Sequence, residues 1–313
     1  MITLYFLLLL LLAILLLFVW RQLDHRADAR AMQRLLAMQP KQPARFDPQM
    51  LAGLPEPAQR YFLYTIEPGT PLYTVASISM SGQFGMGDKN KPDYLQMTAE
   101  QTLAMPTGFV WKMRARRGLL RLSGSDTEHW TRFWLMGLLP IARMGGDADH
   151  RRSAFGRYVA EAVFWTPAAV LPGPGISWTQ VTPDCARLTV SHQGLSQSVD
   201  VTVAANGQPT KVRFARWSNA NADKQYRLQP FGGYLSRFRS FAGYQLPTRV
   251  EAGNHFVRMR ILLFLLQRLA TSHFNMIDFP IINLQKPRSI FRQSAIYIHK
   301  RVQLRRSALC PGW

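Results

Sequence analysis

Phe109-Val110-Trp111-Lys112-Met113-Arg114-Ala115-Arg116 decides the fold class. Its odd positions are apolar, and its even positions, after Val110, are Lys or Arg. Successive side chains of a strand point to opposite faces, so this two-residue period marks a strand with one buried and one wet face. Elsewhere Ala76, Ile78 and Met80 alternate with serines, and Leu120 and Leu122 flank Arg121. Ala186, Leu188 and Val190 alternate with Arg187 and Thr189, as Val199, Val201 and Val203 do with Asp200 and Thr202. Turn signals separate these runs at Pro106-Thr107-Gly108, Gln193-Gly194 and Asn206-Gly207. Asn-Gly closes hairpins because both residues tolerate positive φ. About nine or ten strands are expected between Tyr73 and Glu251.

One helix interrupts the strands. Ser153 is a candidate cap, and Phe155, Tyr158, Val159, Ala162 and Val163 form a stripe at helical spacing. Arg157 and Glu161 face together one turn apart, and Thr166-Pro167 ends the helix. Asp147-Ala-Asp149-His150 is read as part of a Gly-rich loop before it. A shorter helix starts at Leu54-Pro-Glu-Pro57 and runs to about Tyr64. The order strands, helix, strands lacks βαβ alternation. The expected class is therefore mainly β (α+β): an N-terminal transmembrane helix, then a curved antiparallel sheet or half-barrel with one or two packed helices.

Ile2 to Trp20 carries no charge and consists mostly of Leu, Ile, Phe and Val. Crossing a bilayer takes roughly 20 apolar helical residues. A cleaved signal peptide needs a charged start and a small-residue cleavage site, and neither is present here. The expected organisation is a transmembrane anchor (1–22), a polar helical or flexible stalk (23–53), a β-rich domain (54–256) and a basic tail (257–313). Arg21, Arg26, Arg30 and Arg34 outnumber Asp24 and Asp28 beside the anchor. The positive-inside rule thus leans the large domain towards the cytoplasm, although large domains can be translocated against it.

The formal charge is +20, of which the tail supplies +9 from ten Lys or Arg and a single acid, Asp278. This tail shows neither strand alternation nor the signature of any nucleic-acid module, so nucleic acid is not the expected partner. Two cysteines, Cys185 and Cys310, exclude a disulfide framework and Cys-based zinc spacing. The sequence contains no Gly-x-Ser-x-Gly, no His-Glu-x-x-His and no phosphate-binding Gly-Lys-Ser/Thr. No cofactor and no metal are expected, and the oligomeric state is not legible.

From Leu54 onward the chain resembles a bacterial membrane-anchored family known only as a domain of unknown function. The pieces are Leu-Pro-x-Pro-x-Gln-Arg-Tyr (Leu54 to Tyr61), Ala-Glu-Gln (Ala99 to Gln101), Gly-Phe-x-Trp (Gly108 to Trp111), Arg-Tyr-x-Ala-Glu (Arg157 to Glu161), Trp-x-Pro (Trp165 to Pro167) and Pro247 to Phe256. The family supplies no activity. The strand-helix-strand pattern also looks like the half-barrel of periplasmic lipoprotein carriers, a likeness of fold that does not give function. The resemblance places the anchor in a bacterial cytoplasmic membrane.

Three functional readings compete. Phe109, Trp111, Phe164, Trp165, Trp178 and Trp217 are simple core or the lining of an apolar pocket. On the leading reading Trp111, Arg157, Glu161, Trp165, Trp178 and Trp217 bind a lipid or other apolar ligand in a hollow sheet, and no residue is catalytic. On the second, Asp126, Glu128 or Glu161 serve a hydrolase-like enzyme, which requires two of them to converge on one cleft. Otherwise Asp126-Thr-Glu128-His129 is a solvated strand end, and Arg157–Glu161 tethers the helix to the sheet. The third reading is an envelope structural or interaction module with a filled core and an exposed apolar patch.

The tail carries its own expectation. The family resemblance stops after Phe256, where sequences of that type continue Gly-Thr-Asp-Ala-Tyr-Phe. In the coding GGT ACG GAT GCG TAT TTN, loss of the first G gives Val-Arg-Met-Arg-Ile, which is Val257 to Ile261. Residues 257–313 are therefore expected to be the product of a one-base frameshift, with the rival reading a native basic extension that binds anionic lipid. Resequencing the gene checks this. A GGT ACG-like codon pair restored by one base supports it, whereas an in-frame GTA CGG followed by the same tail in independent isolates refutes it.

Overall fold

The computed structural model describes residues 1–85, 94–221 and 223–254, and the backbone of 268–273. Helix α1 spans Ile2–Leu36 and α2 Glu56–Thr65. Six strands follow: β1 (Val75–Gly85), β2 (Tyr94–Ala104), β3 (Gly108–Arg117), β4 (Leu120–Thr127), β5 (Thr131–Leu135) and β6 (Leu139–Met144). Helix α3 (Ala148–Trp165) precedes β7 (Ile176–Thr182), β8 (Cys185–His192), β9 (Leu195–Val203), β10 (Pro209–Ser218), β11 (Arg227–Phe241) and β12 (Tyr244–Asn254). The backbone of Arg268–His273 forms β13. One sheet has the order β13-β1-β2-β3-β4-β5-β6 and the other β12-β11-β10-β9-β8-β7. Every neighbouring pair in both sheets is antiparallel. The chain is thus mainly β with packed helices, as the alternation implies, but its strands divide between two sheets.

The inner faces of both sheets share one apolar core with α2 and α3. Along β3, Phe109, Trp111, Met113 and Ala115 are buried, while Arg114 and Arg116 are exposed. Helix α3 packs mainly on β9 and β10 and presents its stripe Phe155, Tyr158, Val159, Ala162 and Val163 to the core.

Several expectations need correction. Among the described residues, twelve strands lie between Val75 and Asn254, against the nine or ten expected. β6 carries no alternation to read, because it is an edge strand with neither face fully covered, and Leu139-Pro-Ile-Ala-Arg-Met144 need not alternate. Helix α3 begins at Ala148, five residues before Ser153, and Asp147 caps it by accepting the His150 amide at 2.7 Å. Asp149 and His150 therefore lie in its first turn and not in a loop. In the Asn206-Gly207 turn only Gly207 takes positive φ (+85°), and a Cβ there would lie 2.2 Å from the Arg60 carbonyl. The backbone of Arg268–His273 pairs antiparallel with β1. The remainder of 257–313 lies outside the described residues, and the frameshift stays an expectation.

The segment after the apolar run is docked against the first sheet. Helix α1 continues without a break to Leu36 and lays its second half on that sheet's outer face. Ala31 and Leu35 pack there on Val75, Ala104 and Val110, which explains why Val110 interrupts the wet face of β3. The Asp24 carboxylate accepts from Arg143 (2.7 Å), Arg132 (3.0 Å) and the Trp134 indole (3.0 Å). Burial raises the Asp24 pKa, but Arg143, Trp134 and Arg132 more than offset it and hold the group below 3.8. Asp28 accepts from Ser125 at 2.7 Å, and burial holds its carboxyl above the ordinary value.

Asp24→Ala is expected to cost about 2–4 kcal/mol, because it leaves two partly buried arginines without their partner. Most of the loss should be local. Hydrogen exchange in the full chain should accelerate over 24–36 and leave the amides of β8 and β9 unchanged. A folded-state pKa below the unfolded value makes this contribution present above the unfolded pKa and lost as pH falls through the folded one, so the wild-type segment should loosen only below about pH 4.

Candidate functional site

Antiparallel register assembles the site from one cross-strand row. Gln101 on β2 pairs with Trp111 on β3, Trp111 with Asp126 on β4, Asp126 with Thr131 on β5, and Thr131 with Met144 on β6. Residues directly opposite in register share a face, and this row faces α3. There Arg157 donates to Asp126 Oδ2 at 2.5 Å and to Glu161 Oε1 at 2.8 Å. Thr131 donates to Asp126 Oδ1 at 2.5 Å, and the Gln101 amide to Glu161 Oε2. Each of the four carboxylate oxygens therefore holds a donor. Burial lowers the Arg157 pKa, but Glu161 and Asp126 outweigh it and hold the guanidinium above its ordinary value. It also lies 4.8 Å from the Phe109 ring centre and 5.1 Å from that of Trp111, within cation–π range.

Beside this network is a cavity of about 350 Å³ between the sheets, within the size range of small-ligand sites. Phe84, Phe133, Phe164, Trp165, Phe214 and Phe231 supply its large apolar walls. Its polar lining includes Arg157, Asp126, Glu161, His150 and Arg216. The His150 Nε2 lies 3.0 Å from the Thr127 carbonyl oxygen. Arg216 differs from Arg157. Its Nε is buried without a hydrogen-bond partner, and it forms no ion pair among the described residues. Burial, then repulsion from Arg157, push its pKa down to about 10, so it remains charged at neutral pH.

Four of the six expected binding residues, Trp111, Arg157, Glu161 and Trp165, line this cavity. Trp178 and Trp217 lie elsewhere. Trp178 packs on Tyr61 and Phe62 and donates to the Val170 carbonyl at 2.9 Å. The Trp217 indole donates to Asp149 at 2.8 Å, with the Arg152 guanidinium 4.1 Å from its ring centre. Period two explains the difference. Val212, Phe214, Arg216 and Ser218 are in phase on β10, and Trp217 points to the other side. The same phase was the signal for Arg216, an arginine where the buried residues repeat. Of the three carboxylates, Asp126 and Glu161 converge on Arg157. Glu128 lies beyond the end of β4 and pairs with His129 at 3.1 Å, outside the cavity lining. Among the described residues no group of three or more His, Cys, Asp or Glu could hold a metal ion.

A family model described as a family of unknown function (DUF6544) matches residues 44–263, more than two thirds of the chain, and the chain belongs to that family. No curated protein matches the chain. A LolA superfamily protein from Nitrosomonas europaea is similar in structure: it is 11% identical, with 72% of this chain and 93% of that one covered at a TM-score of 0.35. An outer membrane lipoprotein-sorting protein domain from Vibrio parahaemolyticus is 8% identical, with 64% and 85% covered at a TM-score of 0.32.

Replacing Arg157 alone should be worse than removing the network. Arg157→Met strands two mostly buried carboxylates, and a loss of about 3 kcal/mol is expected. The triple variant Arg157→Met, Asp126→Asn, Glu161→Gln should lose clearly less, because no uncompensated charge remains. Urea unfolding of the three forms checks the order, and a triple variant weaker than the single one would show the network to be net stabilising as charges.

Proposed function

We propose that this member of the family of unknown function holds a lipid or other apolar ligand between its two sheets, at a membrane into which Ile2–Trp20 anchors it. The observation that carries this reading is the aromatic-walled cavity of about 350 Å³ with the charged Arg216, whose Nε has no hydrogen-bond partner among the described residues, in its lining. Apolar walls supply affinity for a chain or ring, and a few convergent polar groups orient it. Arg216 offers donors to one oxygen-bearing end of the ligand, a carboxylate, phosphate or ester carbonyl. The first helix of the described residues supports the anchor: it is long and apolar enough to cross a membrane, and its apolar stretch is not buried in the domain.

On this reading the protein is a single-pass protein of a bacterial cytoplasmic membrane, and flanking charge favours the cytoplasmic side for the domain. Asp126 and Glu161 act as a tether for α3 and not as an acid–base pair, since every one of their oxygens already holds a donor.

Photo-crosslinking of the full-length protein in detergent with a diazirine-bearing palmitate tests the proposal. Adducts should map to cavity residues such as Phe214 and Phe231. Ala252→Trp, which fills the cavity from β12, should cut their yield about tenfold. Adducts confined to Ile2–Trp20, or unchanged in a folded Ala252→Trp protein, would overturn it.

A further inference from the structure

The β3–β4 and β5–β6 turns lie at the same end of the first sheet, because β4 pairs antiparallel with both β3 and β5. The Met136 amide donates to the Arg121 carbonyl at 2.7 Å, which ties the two turns together. The first reads Arg114-Ala-Arg-Arg-Gly-Leu-Leu-Arg121, with four arginines and no acid, and Leu119 at its tip is 88% exposed. The second reads Leu135-Met-Gly-Leu-Leu-Pro-Ile141 without a charge, and Met136, Leu139 and Ile141 are all at least 50% exposed. Arg114, Arg116 and Arg121 are exposed and form no ion pair among the described residues. They line one groove with Arg21, Met136 and Gly137.

The apolar part of α1 ends at this same place. Trp20 meets the Trp134 ring edge-on at 5.7 Å and lies under the Arg143 guanidinium at 4.4 Å. Arg21 donates to Ser123 at 3.2 Å and sits against Gly137. The helix has no break between Trp20 and the Asp24 clamp, and it rises only about 1.5 Å per residue. Once Ile2–Trp20 is embedded, both turns are therefore held at headgroup depth. Exposed apolar tips beside unpaired cations suit that interface, where apolar groups enter the acyl boundary and arginines meet lipid phosphates.

We infer that this end of the first sheet is a docking face for the phospholipid surface of the same membrane. Leu119, Met136, Leu139 and Ile141 dip into the interface, while Arg114, Arg116 and Arg121 bind anionic headgroups. The inference rests on reading Ile2–Trp20 as an uncleaved anchor and is independent of any ligand in the cavity.

Hydrogen exchange of the full-length protein in phosphatidylcholine–phosphatidylglycerol vesicles, against phosphatidylcholine alone, tests it. A carbonate wash of the same vesicles reports separately on the anchor. The expected result is retention after the wash, with amides 117–121 and 136–139 exchanging about tenfold more slowly on the anionic surface. High salt should remove most of that difference, because screening shortens the reach of the arginines. Arg116→Glu with Arg121→Glu should abolish it without altering exchange in β8 and β9. Retention with equal exchange on both surfaces would overturn the docking face and leave the anchor standing. Release by carbonate would overturn the anchor and the docking face with it. Slowed exchange that persists in the double variant would show that the arginines are not its cause.

Discussion

The double ion pair of Arg157 holds the site together. One guanidinium on α3 binds Asp126 from β4 and Glu161 from its own helix. The three side chains are each about 18–19% exposed, so the charges are mostly, though not wholly, withdrawn from water. Such a group tolerates the removal of all its charges better than the removal of one, because a lone buried charge has no compensation. Its geometry also fixes how α3 lies across the first sheet, and the cavity is the space left between that helix, the row Trp111–Asp126–Thr131 and strands β10–β12.

The first helix shows a second way in which charge shapes this fold. A polar stretch following an apolar run reads in sequence as a stalk, since Asp24, Asp28 and the neighbouring arginines all look solvated. The structure pairs Asp24 across to β5 and β6, and buries Asp28 against Ser125. A clamp on a continuous helix transmits position. Were Ile2–Trp20 to enter a bilayer, the first sheet would take its depth from them. A flexible stalk of the same length would leave the domain free to tumble.

How much was legible in sequence follows from how local each signal is. The strands around Trp111, Leu188 and Val201 were readable because alternation is written in consecutive residues. Arg157 and Glu161 were readable because a helical turn brings together residues four apart. The row joining Gln101, Trp111, Asp126 and Thr131 was not, because register is a relation between strands that no single strand carries. Trp178 and Trp217 were grouped with Trp111 by residue type alone, and the phase of β10 separates Trp217 from the cavity while placing Arg216 in it. Likewise the apolar Val110 on the outer face of β3 is explained only by α1, which covers it.

The charge balance of the cavity bears on what can enter it. Arg157 and Arg216 are matched in number by Asp126 and Glu161, so the four groups together are neutral when all are ionised. Such a lining is not an electrostatic trap for a highly charged ligand. The balance is uneven in space, however, because both carboxylates face Arg157 and neither bonds Arg216. An incoming molecule meets one unsatisfied donor among aromatic walls, and an unsatisfied buried donor costs about 1–3 kcal/mol until an acceptor arrives. That asymmetry favours a ligand with a single polar end and an apolar body. On the proposed reading, apolar contact would supply the affinity and a hydrogen bond to Arg216 would set which way round the ligand sits.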